Sequence, residues 1–181
     1  MKPWNLLLAF TLVASAAHAH PAAPDSARRA LQSALNHGDA TAMLKARAQF
    51  EALSNADPKS AVLHAWVATA DWRAVPLLNG KDLKLGERYA KDGLAQCDQA
   101  LAIDGKFAEV LALKGILLGM SITYDPASAM TLGPQSGANI QTALAVAPRN
   151  PRVWLLAGIT ALSRPVQFGG GPEAAEPLLA H

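Results

Sequence analysis

The residues whose chemistry could go beyond packing are a few histidines, one cysteine and a glycine run. His20, His37, His64 and His181 could ligate a metal, but such sites need ligands at short, related spacings, and these stand at unrelated ones. His64 falls at a bulky packing position, which predicts a core or rim histidine. Cys97 lies one helical step after Leu94 and one before Leu101, so a buried thiol is expected. A reactive thiolate would need cationic neighbours. The run Phe168-Gly169-Gly170-Gly171-Pro172-Glu173 could offer backbone N–H groups to an anion at a helix start. Pro172 removes one donor, Glu173 and Glu176 already place negative charge there, and no lysine follows. A tight structural turn is the expectation. No metal-binding HExxH, nucleophile elbow or Walker-type loop occurs. The chain is therefore expected to carry no catalytic residues, no cofactor and no metal.

The elements that would position these residues are helices. Alanine and leucine dominate the composition while β-branched and aromatic residues are sparse, which suits closely packed helices rather than sheets. Apolar stripes predict helices over residues 25–36, 39–55, 59–72, 86–103, 107–122, 138–147 and 151–163, with one more from Glu173. The helix over 107–122 is apolar around most of its circumference, so it should lie buried between neighbours. The last helix ends at His181 after barely two turns without a C-cap, which predicts truncation there.

Residues 1–19 read as a signal peptide. Lys2 gives a positive start, residues 6–14 a short apolar core, and Ala17-His18-Ala19 a small-x-small cleavage site. The run is too short to span a bilayer, so the mature chain is expected to have no membrane span and to be periplasmic or secreted. Residues 20–24 should form a flexible tail, and residues 25–181 one helical domain. With the leader removed, 15 basic side chains face 14 acidic ones. That balance offers no footprint for nucleic acid. One cysteine allows no internal disulfide, so stability must come from packing.

Three helix corners repeat. Pro58, Gly105 and Pro148 each end a helix, and a small residue follows each at ten positions: Ala68, Gly115 and Gly158. The corners are 47 and 43 residues apart. Ahead of them stand the pairs Ala52-Leu53, Ala100-Leu101 and Ala143-Leu144. Pro151 suits a first helical turn, and Gly158 inside the helix after it implies close approach by another backbone. Fixed-period helix pairs are the mark of a solenoid.

The sequence resembles the tetratricopeptide-repeat family over about residues 40–181. Trp154 with Gly158, Leu111 with Gly115 and His64 with Ala68 occupy the bulky-small pair of the first helix. Phe50, Cys97 and Ile140 fall at the aromatic position of the second, and Asp57-Pro58 matches the corner. Pro165 to Gly170 is also similar to the Pro-x-x-Phe-Gly-Gly turn of an exported bacterial subgroup without assigned activity. The resemblance implies an all-α fold, a short right-handed solenoid of antiparallel helix pairs. The units are longer than the family's, which predicts long intra-repeat loops at 73–85, 123–137 and 164–172.

Stacked units would align those loops along one edge, bringing Trp72, Arg73, Tyr124, Met130 and Phe168 together, with Trp72 exposed. Loops of that length either bind or pad the array. The leading expectation is a non-enzymatic exported scaffold binding an unidentified protein or peptide partner of the envelope. The alternatives are a periplasmic carrier, or accessory to an uptake system, holding an apolar ligand between helices, and an enzyme assembled from the loops.

Overall fold

The computed structural model describes residues 25–181; the expected signal peptide and tail lie outside the described residues. Within them are eight α-helices and no strand. They are α1 (Asp25–His37), α2 (Ala40–Ala56), α3 (Ala61–Asn79), α4 (Leu83–Ile103), α5 (Ala108–Ser121), α6 (Ala129–Val146), α7 (Pro151–Ser163) and α8 (Pro172–Leu179). No helix among them is long and apolar enough to cross a membrane.

Each helix packs on the next, and α5 also packs on α3 and α7. Partners within a pair run in opposite directions. Along α3 and α4, Asn79 lies over Gly86, Asp71 over Gly93, and His64 bonds to Gln96. Two buried clusters meet at α3. Val67, Ala70, Ala74 and Val75 join α1, α2 and α4, while Ala61, Ala68 and Trp72 join α4 to α7. Helix α5 is buried on most sides, with nine buried residues, as its all-round apolar pattern requires.

The three corners follow the same backbone path. Asp57, Asp104 and Ala147 end their helices at φ/ψ of −132/77°, −131/90° and −135/66°. Their N–H groups donate to Leu53, Ala100 and Ala143 carbonyls at 3.0, 2.9 and 3.0 Å. Three residues later Ser60, Phe107 and Asn150 open the next helix in extended conformation. The bulky first-helix position repeats a bond as well. His64 Nε2 donates to the Pro58 carbonyl at 3.0 Å, and Trp154 Nε1 to the Pro148 carbonyl at 2.9 Å. Leu111, between them in the series, has no donor to offer.

Two of the three expected long loops are mostly helix. Helix α3 continues through Pro76 to Asn79, leaving only residues 80–82 outside it, and α6 starts at Ala129 and runs through Pro134. A proline forfeits one helical hydrogen bond. In α3, Ala74, Val75 and Leu78 are buried around it, and that burial outweighs the lost bond. In α6, Pro134 is exposed, with Ser136 and Ile140 buried against α5 further along. The extra length of these units is therefore helix rather than loop. Residues 122–128, ending in a 3₁₀ turn at Pro126–Ser128, and residues 164–171, around a 3₁₀ turn at Val166–Phe168, stay irregular.

The repeat-packing positions are buried: Ala68, Ala100 and Ala143 completely, Leu111 nearly so. Trp154 is half-buried, its indole stacked on His181 at 3.9 Å. Gly115 and Gly158 face the second helix of their own pair. A methyl group on Gly115 would meet Ile140 at 2.9 Å and the Ser136 carbonyl at 3.0 Å, whereas one on Gly158 would meet only the Leu179 side chain and no backbone atom. Leu179 is half exposed and can move. Gly115→Ala is thus expected to lose about 1–3 kcal/mol by overpacking, and Gly158→Ala clearly less. Urea denaturation of the two variants checks the order.

Candidate functional site

Helices α3, α5 and α7 enclose a cleft of about 60 Å³, and two of the residues expected to bind, Trp72 and Arg73, line it. Arg73 stacks its guanidinium on Trp72, 3.8 Å from the ring centroid. Trp72 is buried and not exposed as expected, because Pro76 does not end α3 and the indole stays on a fully packed turn. Across the cleft stands Arg152 at the start of α7, with Leu113 of α5 and Leu155 and Leu156 of α7 beside it.

Asn150 sets the spacing of the far wall. Its side-chain oxygen caps α7 by accepting from Arg152 N at 3.0 Å, and its amide donates to Glu109 Oε1 of α5 at 2.7 Å. Glu109 is the one carboxylate lining the cleft, and it forms no ion pair with either arginine. Burial, and after it the like charge of Arg152, hold the Arg73 guanidinium below its ordinary pKa. Two cations thus face a small cavity with a single carboxylate that neither of them pairs with, next to half-exposed Leu155.

The other expected binding residues do not join this cleft. Tyr124 donates its hydroxyl proton to Asn79 Oδ1 at 2.6 Å, over Gly86, and ties the end of α5 to the α3–α4 turn. Met130 on α6 is 83% exposed and Phe168 in the 3₁₀ turn is 62% exposed. No hydrogen bond or ring contact links either to the Trp72–Arg73 pair. The α3–α4 turn and the end of α5 meet through Tyr124 and Asn79, but Trp72 and Arg73 lie inside α3 rather than in that turn.

The glycine run is a turn that uses its own donors. Gly169 N–H donates to Val166, Gly170 to Pro165 and Gly171 to Ala161 carbonyls, at 2.9, 3.3 and 2.9 Å. Gly169 and Gly171 take positive φ values of 75° and 97°. Cys97 is fully buried and its thiol is pushed up by burial. His64 is a core residue, with Ser54 Oγ 3.0 Å and the Gln96 amide group 2.8 Å from Nδ1. Among the described residues no three His, Cys, Asp or Glu side chains group as metal ligands.

One cluster escaped the sequence reading. Arg47 of α2 and Asp71 of α3 pair at 2.5 Å, and Arg47 also bonds Glu51 at 2.6 Å while its guanidinium lies over the Tyr89 ring. Asp71 is 0% exposed, and its second oxygen has no partner. A signal was present. Asp71 is the only acid in α3 and falls on the stripe of Val67, Ala68 and Val75. An acid so placed needs a cation across the interface.

A furrow of about 500 Å³ opens between α7 and α8, lined by apolar Leu162, Ala175 and Leu179. The chain matches no protein-family model, no curated protein and no solved structure.

Proposed function

We propose that this chain is an exported helical-repeat scaffold of tetratricopeptide type, a short right-handed solenoid that binds a segment of a protein partner and performs no catalysis. The equal corner conformations and the repeated ring-to-carbonyl bonds support the repeat reading. The observation that carries the binding role is the α3–α5–α7 cleft, where two guanidiniums outnumber the one carboxylate, Glu109, and pair with neither it nor another acid. Arg73 is partly desolvated and has no ion-pair partner, which is costly, and a ligand carboxylate would recover that cost. The cleft is small. At about 60 Å³ it takes one acidic side chain, while exposed Leu155 offers an apolar contact to the residue beside it.

Purifying the protein from its native envelope with bound proteins, beside the double variant Arg73→Glu/Arg152→Glu, tests this reading. The unaltered protein is expected to retain a partner whose affinity falls at least tenfold in the variant and declines with added salt. Equal retention by both, with helical circular dichroism unchanged, would sink the proposal. A second reading, a carrier of an apolar ligand, draws on the α7–α8 furrow. An apolar dye released by Leu179→Arg would favour it.

A further inference from the structure

The Arg47–Asp71 cluster takes no part in the cleft, although Asp71 immediately precedes Trp72 and Arg73 and belongs to the same turn of α3. Asp71 is sealed between α2 and α4, with its Cβ 3.1 Å from where a methyl on Gly93 would stand. Arg47 Nε holds one of its oxygens and nothing holds the other. The same guanidinium serves Glu51 at 2.6 Å and reaches Asp92 at 3.9 Å. One buried cation is therefore divided among three carboxylates, two of them half in water and one with no water at all. Arg88 adds positive charge only from the surface, 3.8 Å from Asp92.

The remaining titratable groups nearby leave Asp71 alone. Tyr89 of α4 lies against Arg47, and Cys97 of α4 is a buried thiol. Lys114 of α5 is paired with Asp98 at 2.6 Å. His64 of α3 is held by Pro58, Ser54 and Gln96. Nothing from α5 compensates the carboxylate.

We propose that the Arg47–Asp71 pair is a proton-operated clasp: a proton on Asp71 favours docking of α1–α2 on α3 and α4, and its loss favours release. Burial pushes the Asp71 carboxyl up to about 7; the bond and charge of Arg47 oppose this, and Asp92 and Glu51 add to it. Release of α2 returns the carboxyl to water and to its ordinary value of 3.8. The folded value is raised, so the clasp is most stable below the ordinary value and weakens as pH climbs towards 7. Above that the penalty is complete and constant. Between those limits the opening constant rises up to tenfold per pH unit. Helix α1 would move with α2, on which it packs, giving up the contact of Arg28 over Trp66 of α3.

Hydrogen exchange of the purified protein at pH 5 and pH 8, corrected for intrinsic rates, tests the clasp. Protection of α2 amides is expected to fall at least tenfold more than that of α5 and α7, and the excess should vanish in Asp71→Asn. Equal falls in both proteins would overturn it. Should Asp71→Asn not fold, the infrared band of a buried protonated carboxyl decides instead. It should titrate away near neutral pH, and Asp92→Asn, which removes a like charge, should move that midpoint lower. A band already lost at pH 5, or a midpoint indifferent to Asp92→Asn, would equally overturn the proposal.

Discussion

Replacing Arg47 with alanine is expected to cost about 3–5 kcal/mol of unfolding free energy, read from chemical denaturation at pH 8. The loss does not measure the worth of the ion pair. It is the penalty of leaving Asp71 wholly buried without any partner, either charged or forced to take up a proton, since its second oxygen has none to begin with. The cost should shrink at pH 5, where Asp71 can take up a proton instead of holding an unpaired charge. Arg88→Ala supplies the contrast. Its side chain is 62% exposed, and surface pairs of this kind contribute little. Equal losses for the two arginines would refute the account.

Phe50→Ala is expected to cost a similar amount, about 3–5 kcal/mol, again read from denaturation. Phe50 is completely buried, and its ring stacks 5.3 Å from that of Trp66 with 10° between the planes. It fastens α2 to α3 through packing, close to where Arg47 fastens them through charge. The equivalent positions in the next two units, Cys97 and Ile140, are also buried. Cys97→Ala removes one atom rather than a ring, so its loss should be much smaller. A loss for Cys97→Ala as large as for Phe50→Ala would mean that this position does not act by filled volume.

What the sequence made legible was local. Pro58, Gly105, Pro148 and the small residues ten positions on act within a turn or two, and the structure places matching corners there. The helix buried on most sides was equally plain, because its apolar residues leave no polar face. Misread were the places where distant packing overrules a local signal. Pro76 marks a helix end by its own chemistry, yet buried Val75 and Leu78 hold the helix through it. Half of the cleft was legible and half was not. Trp72 and Arg73 were chosen for their place on the chain, while Arg152 meets them only because α7 packs on α5. The Arg47–Asp71 pair joins residues 24 positions apart, a distance no helical period covers. Met130 and Phe168 were grouped with Trp72 and Arg73 by their places in expected loops, whereas Trp72 and Arg73 lie inside α3 and the cleft takes in neither Met130 nor Phe168.

The matching corners also bear on how such a chain could change its length. A duplication or deletion with both breakpoints in corners would rejoin the backbone in a conformation it already adopts, with the capping bond intact. Breaks inside a helix would instead shift every later apolar stripe out of register. Among the described residues, corners are therefore the points where a helix pair can be gained or lost with least disturbance to its neighbours.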